Sequence, residues 1–189
     1  MSGIKNKYEI DGDIVRILIN SKYGNYYTIV DLDDFNNKIK NITAKWCIRG
    51  KEDLYAQRTF CVGKINGVYH NNTQNMHFLI VDCPKGMFID HINHNTLDNR
   101  KCNLRVINCK ENDRHRKGKN SNNKSGYRNV AVINGKFVVQ LMVDGKNTKL
   151  GTFTDADEAG AFAKKMRQKY YGEFAGENWF SNIIKKEID

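Results

Sequence analysis

The residues best suited to chemistry lie in one stretch, "FIDHINHNTLDNRKCNLRVINCKEN", which runs from Phe88 to Asn112. Asp90 stands directly before His91, and asparagines recur along the rest of the stretch. Cleaving a phosphodiester needs a base that deprotonates water, such as a neutral histidine, and a divalent ion that neutralises the developing charge. Carboxylate and amide oxygens are ligands that suit magnesium. The residues alone leave three interpretations open: a surface loop, a zinc site and a catalytic centre.

The cysteines argue against the zinc interpretation. They are Cys47, Cys61, Cys83, Cys102 and Cys109, and no two of them form a Cys-x-x-Cys pair of the kind usual in zinc sites. No apolar run approaches the ~18 residues of a membrane helix, and the first residues lack the apolar core of a signal peptide. We therefore expect free thiols in a cytoplasmic chain (host cytoplasm, if a phage encodes it) with no membrane partner.

The net charge of +10 is confined to one segment. Between Arg100 and Leu150 there are thirteen Lys and Arg against three acidic residues, and the rest of the chain is balanced. A surplus placed in one segment predicts a polyanionic partner, most simply double-stranded DNA. The alternative is a basic face that contacts only water.

Periodicity predicts an α+β fold. Residues 1–75 are expected to form a β-rich N-terminal module, in which "DIVRILIN" and "YYTIV" are strands and Asn66-Gly67 is a hairpin turn. Residues 76–116 are expected to run as strand, long loop, strand and helix. Because adjacent strand residues point to opposite sides, a loop distortion or a third group must aim His91, and a nearby asparagine could be that group.

The C-terminal part of the sequence predicts a separate compact module. Residues 117–126, "KGKNSNNKSG", have the composition of a basic linker, and residues 177–189 form a tail. Within residues 127–176, Asn-Gly and Asp-Gly turns join three strands, and a helix follows, with Thr154 as its expected cap. A three-stranded antiparallel sheet packed on one helix leaves its other face open.

The stretch "DHINHNTLDNRKCNLRVINCKEN" closely resembles the core of HNH endonucleases, the ββα-metal nucleases common among phage and intron-encoded homing enzymes. The resemblance implies that residues 76–116 are a nuclease core with His91 as general base. It implies that Asp90 and Asn112 bind one Mg²⁺ or Mn²⁺ per active site. It also implies that Asn103 orients His91, while Asn99 is expected to support the loop.

Residues 125–176 resemble the plant APETALA/ethylene-response-factor DNA-binding domain through "SGYR", "GKF", "LGTF", "DEA" and "GEFA". The resemblance implies that the sheet enters the major groove and that outward strand residues read bases. Strand alternation independently turns Lys136, Val138, Gln140 and Met142 outward.

A basic and polar set is therefore expected to contact DNA, by phosphate contacts or by base readout. Its members are Arg105, Arg114, Arg116, Lys117, Lys119, Lys124, Arg128, Asn129, Lys136, Gln140, Asn147 and Lys149.

Together these features predict a site-specific, homing-type DNA endonuclease that acts as a monomer, without an obligate protein partner, and nicks one strand. Two alternatives stay open. One is a DNA-binding regulator that keeps the nuclease core only as a scaffold. The other is a nonspecific or junction-directed nuclease.

Overall fold

The first half of the chain is built on two three-stranded antiparallel sheets. In the computed structural model, which describes residues 3–22, 24–50 and 53–176, their strand orders are β1–β2–β3 and β4–β5–β6. The strands are Tyr8–Asp11 (β1), Ile14–Ser21 (β2), Gly24–Asp31 (β3), Cys47–Arg49 (β4), Tyr55–Ile65 (β5) and Val68–Asn75 (β6). Both predicted strands of the first sheet are confirmed, and β1 was not predicted.

Alternation sets which face of the first sheet is buried. Val15, Ile17 and Ile19 occupy alternate positions of β2 and are fully buried. Opposite them in the register lie Val30 and Thr28, so a hydroxyl shares the buried face. The second sheet contains the predicted hairpin, in which Asn66 and Gly67 both have positive φ, as the favoured two-residue turn requires.

One hydrophobic core joins these two sheets to the short helices of the same half of the chain. Helix α1 (Leu32–Asp34) continues into a π-helical turn (Phe35–Ile39), and the "MHFLIVD" segment forms helix α2 (His77–Ile80). The core contains Phe35 and Trp46 together with Met76, Ile80 and Leu104. Residues on both sides of position 75 thus share a single core, so the predicted β-rich module does not have a core of its own.

The chain then adopts the predicted order of strand, loop, strand and helix. Strand β7 (Phe88–His91) pairs antiparallel with β8 (Leu104–Ile107), and a 3₁₀ turn (Lys101–Asn103) closes the loop between them. Helix α3 (Cys109–His115) comes next.

The C-terminal sheet has the order β11–β10–β9 and carries one long helix. Its elements are Val130–Ile133 (β9), Lys136–Val143 (β10), Lys146–Phe153 (β11), Ala156–Tyr171 (α4) and a 3₁₀ turn, Gly172–Phe174. Val139 and Leu141 of the sheet pack with Ala159 and Ala163 of α4. The cap of α4 is Asp155 rather than the predicted Thr154, because the Asp155 carboxylate accepts the Glu158 N–H at 2.8 Å.

The fold is thus α+β, and the chain divides into two compact units, Met1–Asn108 and Cys109–Asp189. Helix α3 belongs to the second unit, together with the predicted linker. The predicted tail, 177–189, lies outside the described residues. Among the described helices none is long and apolar enough to cross a membrane.

Candidate active site

Asp90 and His91 end strand β7 and leave it in opposite directions. Their partners on β8 are Arg105 and Leu104. His91 is buried, with only 5% of the residue exposed, and Asp90 keeps a small exposed fraction on the other face of the strand. The short strand therefore sends the two side chains to opposite faces, as the alternation predicted.

Arg105 forms an ion pair with Asp90. Its Nε donates to Asp90 Oδ2 at 2.8 Å across the two strands, and both side chains are nearly covered, with 13% and 12% exposed. The predicted role of Arg105 as a DNA contact is not what this geometry favours, because its guanidinium is turned to the carboxylate. The pair instead fixes the position of Asp90.

The His91 ring is held by Asn99. The distance between His91 Nε2 and Asn99 Oδ1 is 3.3 Å, and Asn99 is buried. Asn99 Nδ2 donates to Thr28 Oγ1 at 2.8 Å, and Thr28 Oγ1 donates to the Leu97 carbonyl at 2.8 Å. The backbone reinforces this link, since Ile29 N–H donates to Leu97 O and Asn99 N–H donates to Ile29 O.

This chain of donors assigns the proton on His91. The Thr28 hydroxyl gives its hydrogen to Leu97, so towards Asn99 it can only accept, and the Asn99 amide nitrogen must face it. Asn99 then presents its oxygen to His91, which requires a hydrogen on Nε2 and leaves the lone pair on Nδ1. Burial lowers the pKa of His91, partly offset by the Asn99 hydrogen bond and the charge of Asp90.

Asn103 holds the loop rather than the histidine. Its Oδ1 accepts the Asn93 N–H at 2.9 Å, and its Nδ2 donates to the Asp98 carbonyl at 2.8 Å. The two asparagines have therefore exchanged their predicted roles: Asn99 contacts the His91 ring and Asn103 supports the loop. Both side chains carry the same groups, so their types could not tell them apart.

An ion pair between the buried Asp98 and the partly exposed Arg100 braces the same loop. Arg100 donates from Nε and Nη2 to the two oxygens of Asp98, at 2.8 and 2.7 Å, and Asn93 Nδ2 donates to Asp98 Oδ2. Burial by itself would raise the pKa of Asp98, but the Arg100 hydrogen bonds and charge outweigh it and lower that pKa. A fully bonded network of this kind gives the loop a single conformation.

His77 and Tyr55 complete the surroundings of His91. The His77 ring lies 5.2 Å from the His91 ring at 83°, and the Tyr55 ring lies 6.1 Å from it. Burial, with a smaller contribution from His91, lowers the pKa of His77 to about 4. The sequence did not point to Thr28 or Tyr55. A threonine at a core-facing position of β3 was the one available signal, because a buried hydroxyl requires a partner.

The C-terminal unit contains the last predicted metal ligand and most of the predicted DNA contacts. Asn112 is exposed on helix α3. Arg128 does not project outward as predicted: it is buried, and its guanidinium donates to the carbonyls of Arg114, Arg116 and Ala175. A cation at the C-terminus of α3 is favourable, so Arg128 is a structural cap and not a base-reading residue.

The outer face of the C-terminal sheet is polar at its centre. Gln140 lies opposite Lys149, and Asn147 lies opposite Met142. Asn129, Gln140, Asn147 and Arg116 line one shallow groove. Val138, predicted to face outward, is buried instead, and the register shifts just after it, between Val139 and Gln140.

The remaining predicted DNA contacts differ in what their side chains touch. Arg114 lies over the Tyr171 ring at 4.9 Å and is half-buried. Arg116 donates to Asn120. The exposed lysines of the set are Lys117, Lys119, Lys124, Lys136 and Lys149.

Asp90, next to His91 in the sequence, is an oxygen donor that suits a hard cation. No cluster of three or more His, Cys, Asp or Glu able to hold a metal occurs among the described residues. Magnesium usually takes only one or two carboxylates and completes its shell with water and substrate phosphate, whereas zinc needs a fuller protein set. A single carboxylate such as Asp90 therefore fits a Mg²⁺-type ion better than zinc.

Comparison with known proteins agrees with this geometry. A family model described as HNH endonuclease matches residues 82–114, which contain Asp90, His91, Asn99 and Asn103. A protein of Acanthamoeba polyphaga mimivirus, named as an uncharacterized HNH endonuclease, is 28% identical over 95 residues, 50% of this chain and 49% of that protein. The chain thus spans about half the length of this curated relative. No solved structure matches the chain. Residues 82–114 therefore form an HNH endonuclease domain.

Proposed function

We propose that this protein is a site-specific, homing-type DNA endonuclease that hydrolyses one phosphodiester per active site and, as a monomer, nicks one strand. The observation that carries the proposal is the buried His91 ring, held at Nε2 by Asn99 and adjacent in sequence to the Asp90 carboxylate. These residues lie within the stretch matched as an HNH endonuclease.

His91 is the general base in this proposal. Its Nδ1 lone pair accepts a proton from the attacking water, and the Nε2–H remains bonded to Asn99 as the ring becomes charged. Asp98 lies in the same braced loop, and its charge favours the protonated ring that forms during the step. Asn99 acts as the positioning residue that the sequence had assigned to Asn103.

The resemblance to HNH endonucleases assigns Asp90 and Asn112 as ligands of one Mg²⁺ or Mn²⁺. An ion held by them would neutralise charge on the scissile phosphate and would stabilise the leaving 3′ oxygen. Arg105 contributes by fixing the Asp90 carboxylate at 2.8 Å.

The open face of the C-terminal sheet supplies target selection in this proposal. Gln140, Asn147 and Asn129 present amide groups that can pair with base edges, and the exposed lysines neutralise phosphates. The excess of basic residues between Arg100 and Leu150 supports a DNA partner over a neutral one.

Incubation of the purified chain with supercoiled plasmid and Mg²⁺ tests the function. We expect open-circular product, none after chelation, and about 100-fold slower nicking by Asp90→Asn. Asp82→Asn removes an exposed carboxylate of the same domain and serves as the matched control, with the parent rate expected. Tight DNA binding without cleavage under any divalent ion would contradict the proposal and favour a regulator.

A further inference from the structure

The β5–β6 hairpin buries very little of itself. Every residue of β6 from Val68 to Thr73 is exposed, and so are the residues of β5 from Cys61 to Lys64. Tyr69 is 68% exposed. A two-stranded hairpin without a packed face is marginal in water, so its apolar side chains are placed where only a partner can cover them.

Cross-strand pairs nevertheless hold the ribbon in order. Arg58 Nη2 donates to Gln74 Oε1 at 2.7 Å, and Gln57 Nε2 donates to Asn75 Oδ1 at 3.0 Å. Nearer the turn, Lys64 Nζ lies 5.1 Å from the centre of the Tyr69 ring. These pairs order the side chains before any partner binds, which reduces the entropy lost on binding.

The charge of the hairpin selects the kind of partner. No Asp or Glu occurs from Leu54 to Val81, whereas Arg58 and Lys64 are cationic. Most of the other side chains on both strands carry amides or hydroxyls, or are aromatic. A surface with cations, hydrogen-bonding amides and no carboxylate is complementary to a polyanion that also offers base edges.

The base of the hairpin adjoins the proposed catalytic histidine. Tyr55, the first residue of β5, has its ring 6.1 Å from the ring of His91 and 5.6 Å from that of His77. A polyanion lying along the ribbon is therefore led towards His91. The hairpin and the HNH strands belong to the same compact unit.

We propose that the β5–β6 hairpin is a second DNA-binding element, which lies in the major groove beside the scissile phosphate. The duplex nature of the partner rests on the proposed function. The major groove, roughly 12 Å wide, admits a two-stranded ribbon. Lys64 and Arg58 contact phosphates, while the amides of β6 face base edges.

Binding by full-length chains tests this assignment. The chain carrying His91→Ala, which keeps DNA intact, is compared with and without Lys64→Glu and Tyr69→Ala on a fluorescent random-sequence duplex. We expect about tenfold weaker binding and a salt slope reduced by about 1. Lys45→Glu makes the same charge change at an exposed position outside the hairpin, and it should alter binding far less. On a fragment containing a mapped nick, guanine N7 protection beside the nick should disappear only in the hairpin variants.

Two results would overturn the assignment. One is equal affinity and equal guanine protection for hairpin variants and control. The other is a dimer of the parent that sediments as a monomer after Lys64→Glu, which would make the hairpin an interface between copies. The failures are separable: hairpin-dependent binding without nicking rejects the nuclease function alone. Nicking that hairpin variants leave unchanged rejects the hairpin alone.

Discussion

Two of the three-stranded sheets, β1–β2–β3 and β9–β10–β11, share a topology but expose different surfaces. In the first, edge strand β3 is bonded to the HNH loop through Ile29 and Thr28, so its free edge is closed. In the second, one face packs on α4 and the other presents a polar groove. A closed edge with a buried hydroxyl indicates support of chemistry, whereas an open polar face indicates recognition.

Residues 1–75 combine these two kinds of surface. The sequence left residues 1–75 open between scaffolding and DNA contact. The structure links β3 to the histidine loop, and it extends β5–β6 into solvent from a position beside the same histidine. We infer that this part of the chain does both.

The largest expected effect on stability is a loss of stability of the N-terminal unit in acid. The pKa of His77 is about 4 when folded against 6.5 in the unfolded chain, so between these pH values the unfolded chain binds more protons. Stability therefore falls as pH drops from 6.5 to about 4, by up to about 3 kcal/mol from this residue. His91 shifts in the same direction, and the charges of Asp53 and Asp90 oppose it only partly.

Urea denaturation at several pH values measures this slope. His77→Phe keeps a ring among Tyr55, Phe78 and His91 but cannot titrate. Its slope between pH 6.5 and 4 should be shallower than that of the parent chain. Parallel curves for the two chains would show that His77 does not carry the effect.

Asn99→Ala should slow nicking about 100-fold. The substitution removes the acceptor of the His91 Nε2 hydrogen, so the ring loses both its orientation and its preferred tautomer. Asn103→Ala should weaken the fold more than it changes the tautomer, because Asn103 bonds the loop backbone. Long-range ¹H–¹⁵N correlation spectra of His91 distinguish the two. A tautomer change in Asn103→Ala but not in Asn99→Ala would restore the roles expected from the sequence.

Thr28→Val should reduce nicking about tenfold, close to 1.4 kcal/mol of activation free energy. The change keeps the shape of the side chain but removes the nearer acceptor of the buried Asn99 amide, which leaves only the Leu97 carbonyl at 3.4 Å. Thr28→Ser retains the hydroxyl and should keep the rate within a few fold of the parent. If both variants nick at the parent rate, the first sheet only supports the core.

Gln140→Ala should have the smallest effect, and that effect should be confined to DNA binding. We expect binding to the preferred site to weaken by about 1 kcal/mol, with the midpoint of denaturation unchanged, because Gln140 lies on the open face. Competition between preferred and random DNA measures the change. Equal weakening on both DNAs would identify Gln140 as a phosphate contact.

The sequence predicted the features that depend on local pattern. Alternating apolar residues located β2, β3 and β10, and Asn-Gly and Asp-Gly pairs located the turns, because these signals act between neighbours. The local pattern placed Asp90 and His91 together on a short strand before an asparagine-rich loop, and their roles came from the resemblance to HNH endonucleases.

Contacts between residues far apart in the sequence could not be predicted from local pattern. Thr28 meets Asn99 across 71 positions of the chain. The exchange of roles between Asn99 and Asn103 depends on how the loop coils, which has no periodicity. Arg128 points inward because it donates to backbone carbonyls at the end of α3. Strand alternation predicts only the direction of a side chain and carries no information about such distant acceptors.

The rate of nicking by His91→Ala tests the central claim most directly. Single-turnover cleavage of supercoiled plasmid at saturating Mg²⁺ should be slower by about 10²–10⁴-fold than with the parent chain, while DNA affinity stays the same. Equal rates for the two chains would contradict His91 as the general base, and with it the proposed mechanism.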